Sequence, residues 1–171
     1  MSFPALYKEH FAFVWRNLRR LGVPEAGLRD ATQDVFLVVH RRLSEFEGRG
    51  SLQAWLYSIL RRVAADHRRV IRRKGLCNPE HADDIADTQD LDPEHQAVRG
   101  EALRTLLRLL EGLDEDKREA LILVDLEGMT VPEVAVAVGS NVNTVYSRLR
   151  AARQQMQAAF EELAAEDWRA P

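Results

Sequence analysis

Apolar positions recur with helical spacing in two blocks of the chain, one on each side of an acidic stretch. In the first block the period predicts helices over residues 4–21 and 28–45, followed by a helix of about 22 residues that starts after Ser51. Short connections between these three helices favour an antiparallel bundle. Residues 75–100 are acidic, contain three punctuating Gly and Pro residues before Arg99 and have few large apolar side chains, which predicts a flexible linker.

The second block resumes the helical period over residues 101–160. It predicts helices near 101–111 and 114–127, then a short helix that begins with a Thr130–Glu133 capping box and a longer one from about 142 to 160. A short helix, a glycine-bearing turn and a longer helix form the helix-turn-helix pattern, whose second helix contacts phosphates and base edges in the major groove. A helical hairpin that binds only protein is the alternative. The polar side chains on the exposed side of the second helix are Asn143, Thr144, Tyr146, Ser147, Arg148 and Arg150.

The third predicted helix has an apolar arc opposite an arc of arginines. Asp66 is its only acid, so this face carries one sign of charge, which is typical of a surface that binds phosphates. Trp55 lies at the border of the two arcs, and a glycine-bearing loop led by Phe46 precedes the helix; aromatic side chains beside a basic surface favour single-stranded nucleic acid. A solvated basic helix, with Trp55 as a core residue, is the alternative. The arginines are Arg61, Arg62, Arg68, Arg69, Arg72 and Arg73.

The net charge of −3 conceals strong charge blocks. Residues 41–75 carry 10 basic and 3 acidic side chains, whereas residues 76–102 carry 1 basic and 8 acidic ones. The local field rather than the total charge attracts a polyanion, so the low net charge does not exclude a nucleic-acid partner. The acidic block is either a plain linker or a mimic of nucleic acid that screens the arginine face when no partner is bound.

Other classes of protein are disfavoured by the sequence. Cys77 is the single cysteine, so an internal disulfide is excluded and a reducing cytoplasm fits. There is no signal-peptide pattern and no apolar run long enough to insert into a membrane. Cys77 and His81 are four residues apart, but Pro79 lies between them and no second pair follows, which disfavours a metal site. Catalytic motifs are missing as well, so we expect no enzyme and no cofactor.

Two segments, in this order, resemble the extracytoplasmic-function group of sigma factors, the small bacterial promoter-specificity subunits of RNA polymerase. They are DATQDVFLVVHRRLSEFEGRGSLQAWLYSILRRVAADHRR at residues 30–69 and LDEDKREALILVDLEGMTVPEVAVAVGSNVNTVYSRLRAAR at residues 113–153. The resemblance implies an all-α protein of two small helical domains joined by the acidic linker. The implied divisions are a sigma-2 type bundle over 1–74, the linker over 75–100, a sigma-4 type helix-turn-helix domain over 101–160 and a tail over 161–171.

The resemblance also implies partners and residue roles. Core RNA polymerase would bind through its beta-prime clamp and beta flap, and promoter DNA would bind as duplex at the −35 element and as single strand at the −10 element. Clamp contacts would come from Gln33, Asp34, Phe36, Arg41 and Arg42. Contacts to the −10 region would come from Phe46, Gly48, Arg49, Ser51, Trp55, Ile59, Arg61, Arg62 and Arg69. Contacts to the −35 element would come from Asn141, Asn143, Thr144, Tyr146, Ser147, Arg148 and Arg150.

The chain departs from the family pattern at four positions. Asn143 replaces the usual glycine before Thr-Val, Tyr146 replaces a basic residue, and Asn141 stands where proline is common. The acidic start of the clamp-binding helix is reduced to Asp30. The first three changes bear on −35 affinity and sequence preference, although Asn141 can still cap its helix.

Two other functions remain as alternatives to a sigma factor. One is a conventional two-domain helix-turn-helix regulator, and the other is an adaptor that binds only protein. The sequence also leaves open whether an anti-sigma protein, the acidic linker or the expression level controls activity.

Overall fold

The computed structural model describes the backbone of residues 2–46, 48, 50–73 and 93–169; in the last of these ranges it describes the side chains of 100–165. Within these residues every regular element is helical. The elements in chain order are α1 (Phe3–Arg20), α2 (Glu25–Arg42), a 3-10 turn (Leu43–Glu45), α3 (Leu52–Arg73), α4 (Pro93–Glu111), α5 (Glu115–Leu121), a π-helical turn (Ile122–Leu126), α6 (Val131–Val138) and α7 (Val142–Arg169).

Helices α1, α2 and α3 form the first unit. Each of them directs an apolar face into a shared core, which includes the fully buried Leu18, Leu28 and Leu60. The predicted bounds of α1 and α3 hold to within one residue. Helix α2 starts earlier than predicted, directly after Pro24, and its predicted last turn is a separate 3-10 turn.

Helices α4 to α7 form the second unit. Helix α4 begins at Pro93, inside the stretch expected to be a linker, and the rest of that stretch up to residue 92 lies outside the described residues. The predicted helix over 114–127 is an α-helix only as far as Leu121 and then widens into the π-helical turn. At its C-terminus the amide of Glu127 donates to the carbonyl oxygen of Ile122 at 3.0 Å, a five-residue step.

The helix-turn-helix consists of α6 and α7. The predicted capping box is present, because the carboxylate of Glu133 accepts from the amide of Thr130 at 2.8 Å and the Thr130 side chain accepts from the backbone in turn. Helix α6 ends at Gly139, whose φ of 68° suits glycine. Helix α7 then crosses α6 over a contact that includes the buried Val134 and Val145. The helix-turn-helix prediction is therefore confirmed.

The two units pack against each other rather than standing apart. Helix α3 of the first unit lies against α6 of the second, and their buried apolar residues belong to one continuous core. Ion pairs surround this contact and join α1 and α3 to α5 and to the end of the π-helical turn. The sequence did not predict this closed arrangement.

Among the described helices, none combines the length and the apolar character that crossing a membrane would need.

Candidate nucleic-acid interface

The loop that leads into α3 brings two aromatic rings together. Ser51 caps α3 as predicted, with its Oγ accepting from the amide of Ala54 at 3.4 Å. Gly48 and Gly50 have φ angles of 72° and 98°, which L side chains rarely adopt, so the loop turns tightly there. As a result the ring of Phe46 lies 5.3 Å from that of Trp55, tilted by 41°. Arg49, a predicted site residue, lies outside the described residues.

A cavity of about 490 Å³ opens beside this loop. We call it the loop cavity. Its first-unit walls include Phe46, Ser51 and Trp55, and its size suits a small planar group such as a base. Ile59, which we expected in this pocket, is instead a core residue that is 3% exposed and does not line the cavity. The walls contributed by the second unit are Pro132, Glu133 and Val136 of α6.

The arginine arc of α3 is divided between solvent and the second unit. Arg61 donates from Nε to the Oε1 of Glu119 at 2.6 Å, and Arg68 donates to Glu115 and to the carbonyl oxygen of Leu21. The remaining arginines point to solvent and form an exposed cationic row. This row consists of Arg62, Arg69, Arg72 and Arg73.

Glu119 is the residue of this interface that sequence reasoning missed. Its side chain is 1% exposed, and burial raises its pKa to about 7 although the positive charge of Arg61 opposes the shift. Tyr57 is fully buried nearby, and burial together with the negative charge of Glu119 raises its pKa. The available signal was an acid directly before the apolar run of residues 120–124. Charged side chains are rarely buried unless they are paired.

The predicted polymerase-binding residues lie on α2, beside a groove that sequence reasoning also missed. Gln33, Asp34 and Arg41 are exposed. Phe36 is almost fully buried, and its ring centroid lies 4.5 Å from that of Tyr7. Asp34 is 2.8 Å from the Nε2 of His67 on α3. Arg42 donates to Glu45 at 2.8 Å.

A groove of about 850 Å³ runs between α1 and α2. We call it the aromatic groove. Its α1 wall is a ladder of aromatic side chains at every fourth position, a spacing that places them on one helix face. Leu37, 46% exposed, and His40 complete the α2 side. The sequence signal was the four-residue spacing itself. The ladder consists of Phe3, Tyr7, Phe11 and Trp15.

The predicted −35 surface lies at the start of α7 and is open to solvent. The Oδ1 of Asn141 accepts from the amide of Thr144 at 2.8 Å, so this asparagine does cap the helix. Tyr146 is 56% exposed and Arg150 is exposed beside it. Arg148 differs from them, because its guanidinium donates to Asp116 of α5. The other two members of the predicted set, Asn143 and Ser147, are exposed.

Comparison with known proteins matches both units. The family model for sigma-70 region 2 matches residues 6–74, and the model for sigma-70 region 4 matches residues 103–156. A relative, the ECF RNA polymerase sigma factor SigC of Mycobacterium tuberculosis, is 32% identical over 86% of this chain and 77% of its own length. The chain belongs to the extracytoplasmic-function sigma factors. Membership makes it a promoter-specificity factor for transcription initiation, and this family is not catalytic.

Solved structures of sigma factors share the fold. The structure of CnrH in complex with the cytosolic domain of CnrY superposes with a TM-score of 0.71 and 26% identity, over 94% of this sigma factor and 88% of that chain. The sigma factor RpoE, in complex with the anti-sigma factor NepR from Bartonella quintana, superposes with a TM-score of 0.66 and 25% identity, over 91% and 96% of the two chains. The two-unit, all-helical architecture expected from the sequence is therefore confirmed.

Proposed function

We propose that this sigma factor binds core RNA polymerase through α2 and the aromatic groove, holds the unpaired −10 strand along α3 and reads the −35 duplex with α7. The observation that carries the proposal is the continuity between the loop cavity and the exposed cationic row. Phe46 and Trp55 meet at the start of α3, and the row follows along the same helix. A stacking site next to a line of phosphate ligands suits one strand of melted DNA.

The −10 strand would enter at the loop cavity. Extruding a base from the DNA stack costs a few kcal/mol of free energy. Stacking of that base on an aromatic side chain offsets about 1–3 kcal/mol of this cost. Trp55 and Phe46 supply the rings, while Arg62 and Arg69 supply charge for the adjacent phosphates. Arg61 joins this set only when it is released from Glu119.

The −35 duplex would meet the exposed side of α7. The capped N-terminus of this helix and the side chains of Asn143, Tyr146 and Arg150 all face solvent, so the helix can enter a major groove without rearrangement. Arg150 is the strongest candidate for a base contact, since an arginine can pair with two acceptors of one guanine.

Core polymerase would contact both units. The exposed Gln33 and Arg41 supply polar contacts for the beta-prime clamp of core polymerase, and the aromatic groove supplies an apolar seat beside them. The second unit would meet the beta flap. An anti-sigma protein is a further partner, by analogy with the NepR complex of RpoE. We expect the sigma factor itself to act in the cytoplasm.

Transcription with purified core polymerase tests the proposal. The chain is added to core enzyme on a library of promoter fragments, and the 5′ ends of the transcripts are mapped. We expect initiation at discrete start sites that share two spaced sequence elements. A conventional regulator would bind duplex DNA alone and leave core enzyme inactive, and an adaptor would do neither; either result would overturn the proposal.

A further inference from the structure

We propose that a cleft between the end of α3 and the start of α5 binds a nucleoside diphosphate or a larger nucleoside polyphosphate, mainly through its diphosphate group. The cleft has a volume of about 510 Å³ and shares no lining residue with the loop cavity or the aromatic groove. We call it the basic cleft. Both units contribute to it. Its charged lining residues are Arg68, Arg69, Arg72, Glu115 and Arg118.

Three arginines of α3 form one wall of the basic cleft. Arg69 and Arg72 are exposed, whereas Arg68 is partly buried. Residues three or four positions apart lie on one face of a helix, so Arg68 and Arg72 project to the same side. Arg68 already donates to Glu115 and to the carbonyl oxygen of Leu21. The wall therefore combines one anchored guanidinium with two that are open to solvent.

The fourth arginine comes from the second unit. Arg118 of α5 donates from Nε to the carbonyl oxygen of Leu110 at 2.7 Å and from Nη2 to that of Leu113 at 2.9 Å, so its guanidinium is held in place. Its Nη1 lies toward Gly22, since a Cβ atom added to this glycine would be 3.7 Å from that nitrogen and 3.7 Å from the Cδ of Arg68. An arginine fixed in this way loses little freedom when it binds a ligand.

The positive charges of the basic cleft exceed the negative charges of its lining. Four arginines face one carboxylate, that of Glu115. Burial lowers the pKa of Arg118 and the positive charge of Arg68 lowers it further, although Glu111 and Glu115 act in the opposite direction. The two arginines therefore repel each other across the cleft, and a bound anion would offset this repulsion.

The excess charge and the size of the basic cleft select the ligand. One phosphate group carries a charge of about −1.5 to −2 near neutral pH, which leaves part of the excess unbalanced, whereas two linked phosphate groups balance it. Guanidinium groups pair with phosphate oxygens in a planar, two-bond geometry. Pro24 and Ile71 give the cleft an apolar side, and its volume leaves room for a nucleoside beside the diphosphate.

A nucleotide in the basic cleft would also affect the binding of DNA. Arg69 and Arg72 belong to the exposed cationic row as well, so the ligand and the −10 strand would compete for them. This consequence rests on the proposed role of α3, whereas the site itself does not.

Isothermal titration calorimetry with the full-length free chain tests the site, at one ionic strength for all ligands. The probes are pyrophosphate, ADP and a thymidine trinucleotide, whose phosphates are all diesters. We expect one pyrophosphate or one ADP to bind per chain, ADP more tightly because its nucleoside adds contacts, and the trinucleotide to bind more weakly than both. A trinucleotide that binds as tightly as pyrophosphate would show that the cleft is only part of a path for DNA and would overturn the proposal. Weaker binding of ADP than of pyrophosphate would overturn the nucleoside component.

Two matched pairs of exposed variants locate the ligand. Arg72→Gln should weaken the binding of pyrophosphate about tenfold, whereas its neighbour Arg73→Gln, outside the basic cleft, should have a smaller effect. Glu115→Gln removes the carboxylate of the cleft and should strengthen binding several-fold, which Glu111→Gln on α4 should not.

Circular dichroism verifies that each of these four variants is folded. Equal effects of the two members of either pair would overturn the site. Initiation by the wild type with core polymerase tests the proposed function separately, so either idea can fail alone.

Discussion

Arg61 and Glu119 form a 2.6 Å hydrogen-bonded ion pair between α3 of the first unit and α5 of the second. The arginine belongs to the surface proposed for the −10 strand, and the side chain of the acid is only 1% exposed. The attraction between two buried charges is offset by the free energy needed to remove both from water, so only the difference stabilises the pair. Because burial raises the pKa of Glu119, the contact between the two units is sensitive to the protonation of this one carboxyl group.

We expect the stability of the closed structure to fall as the pH rises. Glu119 faces Arg61 and Tyr57 of α3 and lies near Glu115 and Asp116 of its own helix. Its raised pKa means that the folded, closed state binds a proton more tightly than an unfolded or open state in which this acid is solvated. The stability that this carboxyl group contributes is fully present below pH 4.5, its pKa in the unfolded chain. It is lost as the pH rises through about 7, its pKa in the folded chain.

Thermal unfolding at two pH values measures this effect. Between about pH 6 and about pH 8 the wild type should lose roughly 1 kcal/mol of stability from this group. In Glu119→Gln the neutral amide can still accept from Arg61 and does not titrate, so the difference between the two pH values should shrink. An equally large difference in that variant would show that another group is responsible.

Arg62→Ala should impair promoter opening and leave polymerase binding intact. Arg62 is exposed on α3, one helical turn beyond the cavity-lining Ser58, so its removal costs little folding energy. We expect about a tenfold loss of open complex, corresponding to about 1.4 kcal/mol, measured by permanganate reactivity of unpaired thymines. Arg104→Ala, on α4, is the control. Loss of core binding in Arg62→Ala would mean that this face meets the polymerase rather than DNA.

Arg150→Ala and Arg148→Ala should separate recognition from folding. Arg150 is exposed, so its truncation should weaken binding to the −35 duplex by about 1–3 kcal/mol without lowering the melting temperature. Arg148 also pairs with Asp116 of α5, so its truncation should lower both the affinity for the −35 duplex and the melting temperature. Binding assays on promoter duplex and thermal melts provide the two measurements. Promoter choice that is unchanged by Arg150→Ala would remove this residue from the interface.

Leu37→Asp should weaken binding to core polymerase. The side chain is 46% exposed at the aromatic groove, so a carboxylate there would be tolerated by the fold and would penalise an apolar partner. Phe160→Asp, at the similarly exposed Phe160 of α7, is the control. Phe36→Ala differs from both, because truncation of this buried ring should destabilise the first unit by about 3–5 kcal/mol. Normal assembly of Leu37→Asp with core enzyme would exclude the groove as a contact.

Much of the candidate site was predictable from local signals. The cap of α3 at Ser51, the capping box at Thr130 and the asparagine cap of α7 at Asn141 are all present. Each depends on residues within one helical turn, so the sequence contains the whole interaction. The widening of the helix after Leu121 was not predictable, because the apolar period fits an α-helix and a single π-helical turn almost equally well.

The residues that the structure places away from the expected cavity, and those that sequence reasoning missed, share a different cause. Ile59 falls on the edge of the apolar arc of α3, and only the packing of neighbouring helices against α3 decides that it enters the core. The aromatic ladder of α1 becomes a groove only when α2 lies beside it. Neither outcome is encoded in the spacing of residues along one helix.

By itself, the sequence determined the helices, the arginine-bearing face of α3, the helix-turn-helix and the family, because periodicity, caps and motif order depend on neighbours along the chain. Only the tertiary structure decided which arginines face solvent and which are paired with acids. Arg61 and Glu119 are 58 residues apart, and Arg20 and Glu127 are 107 apart. Contacts over such separations form only when the two units fold and pack, since it is packing that removes water from Glu119 and sets α6 against the loop cavity.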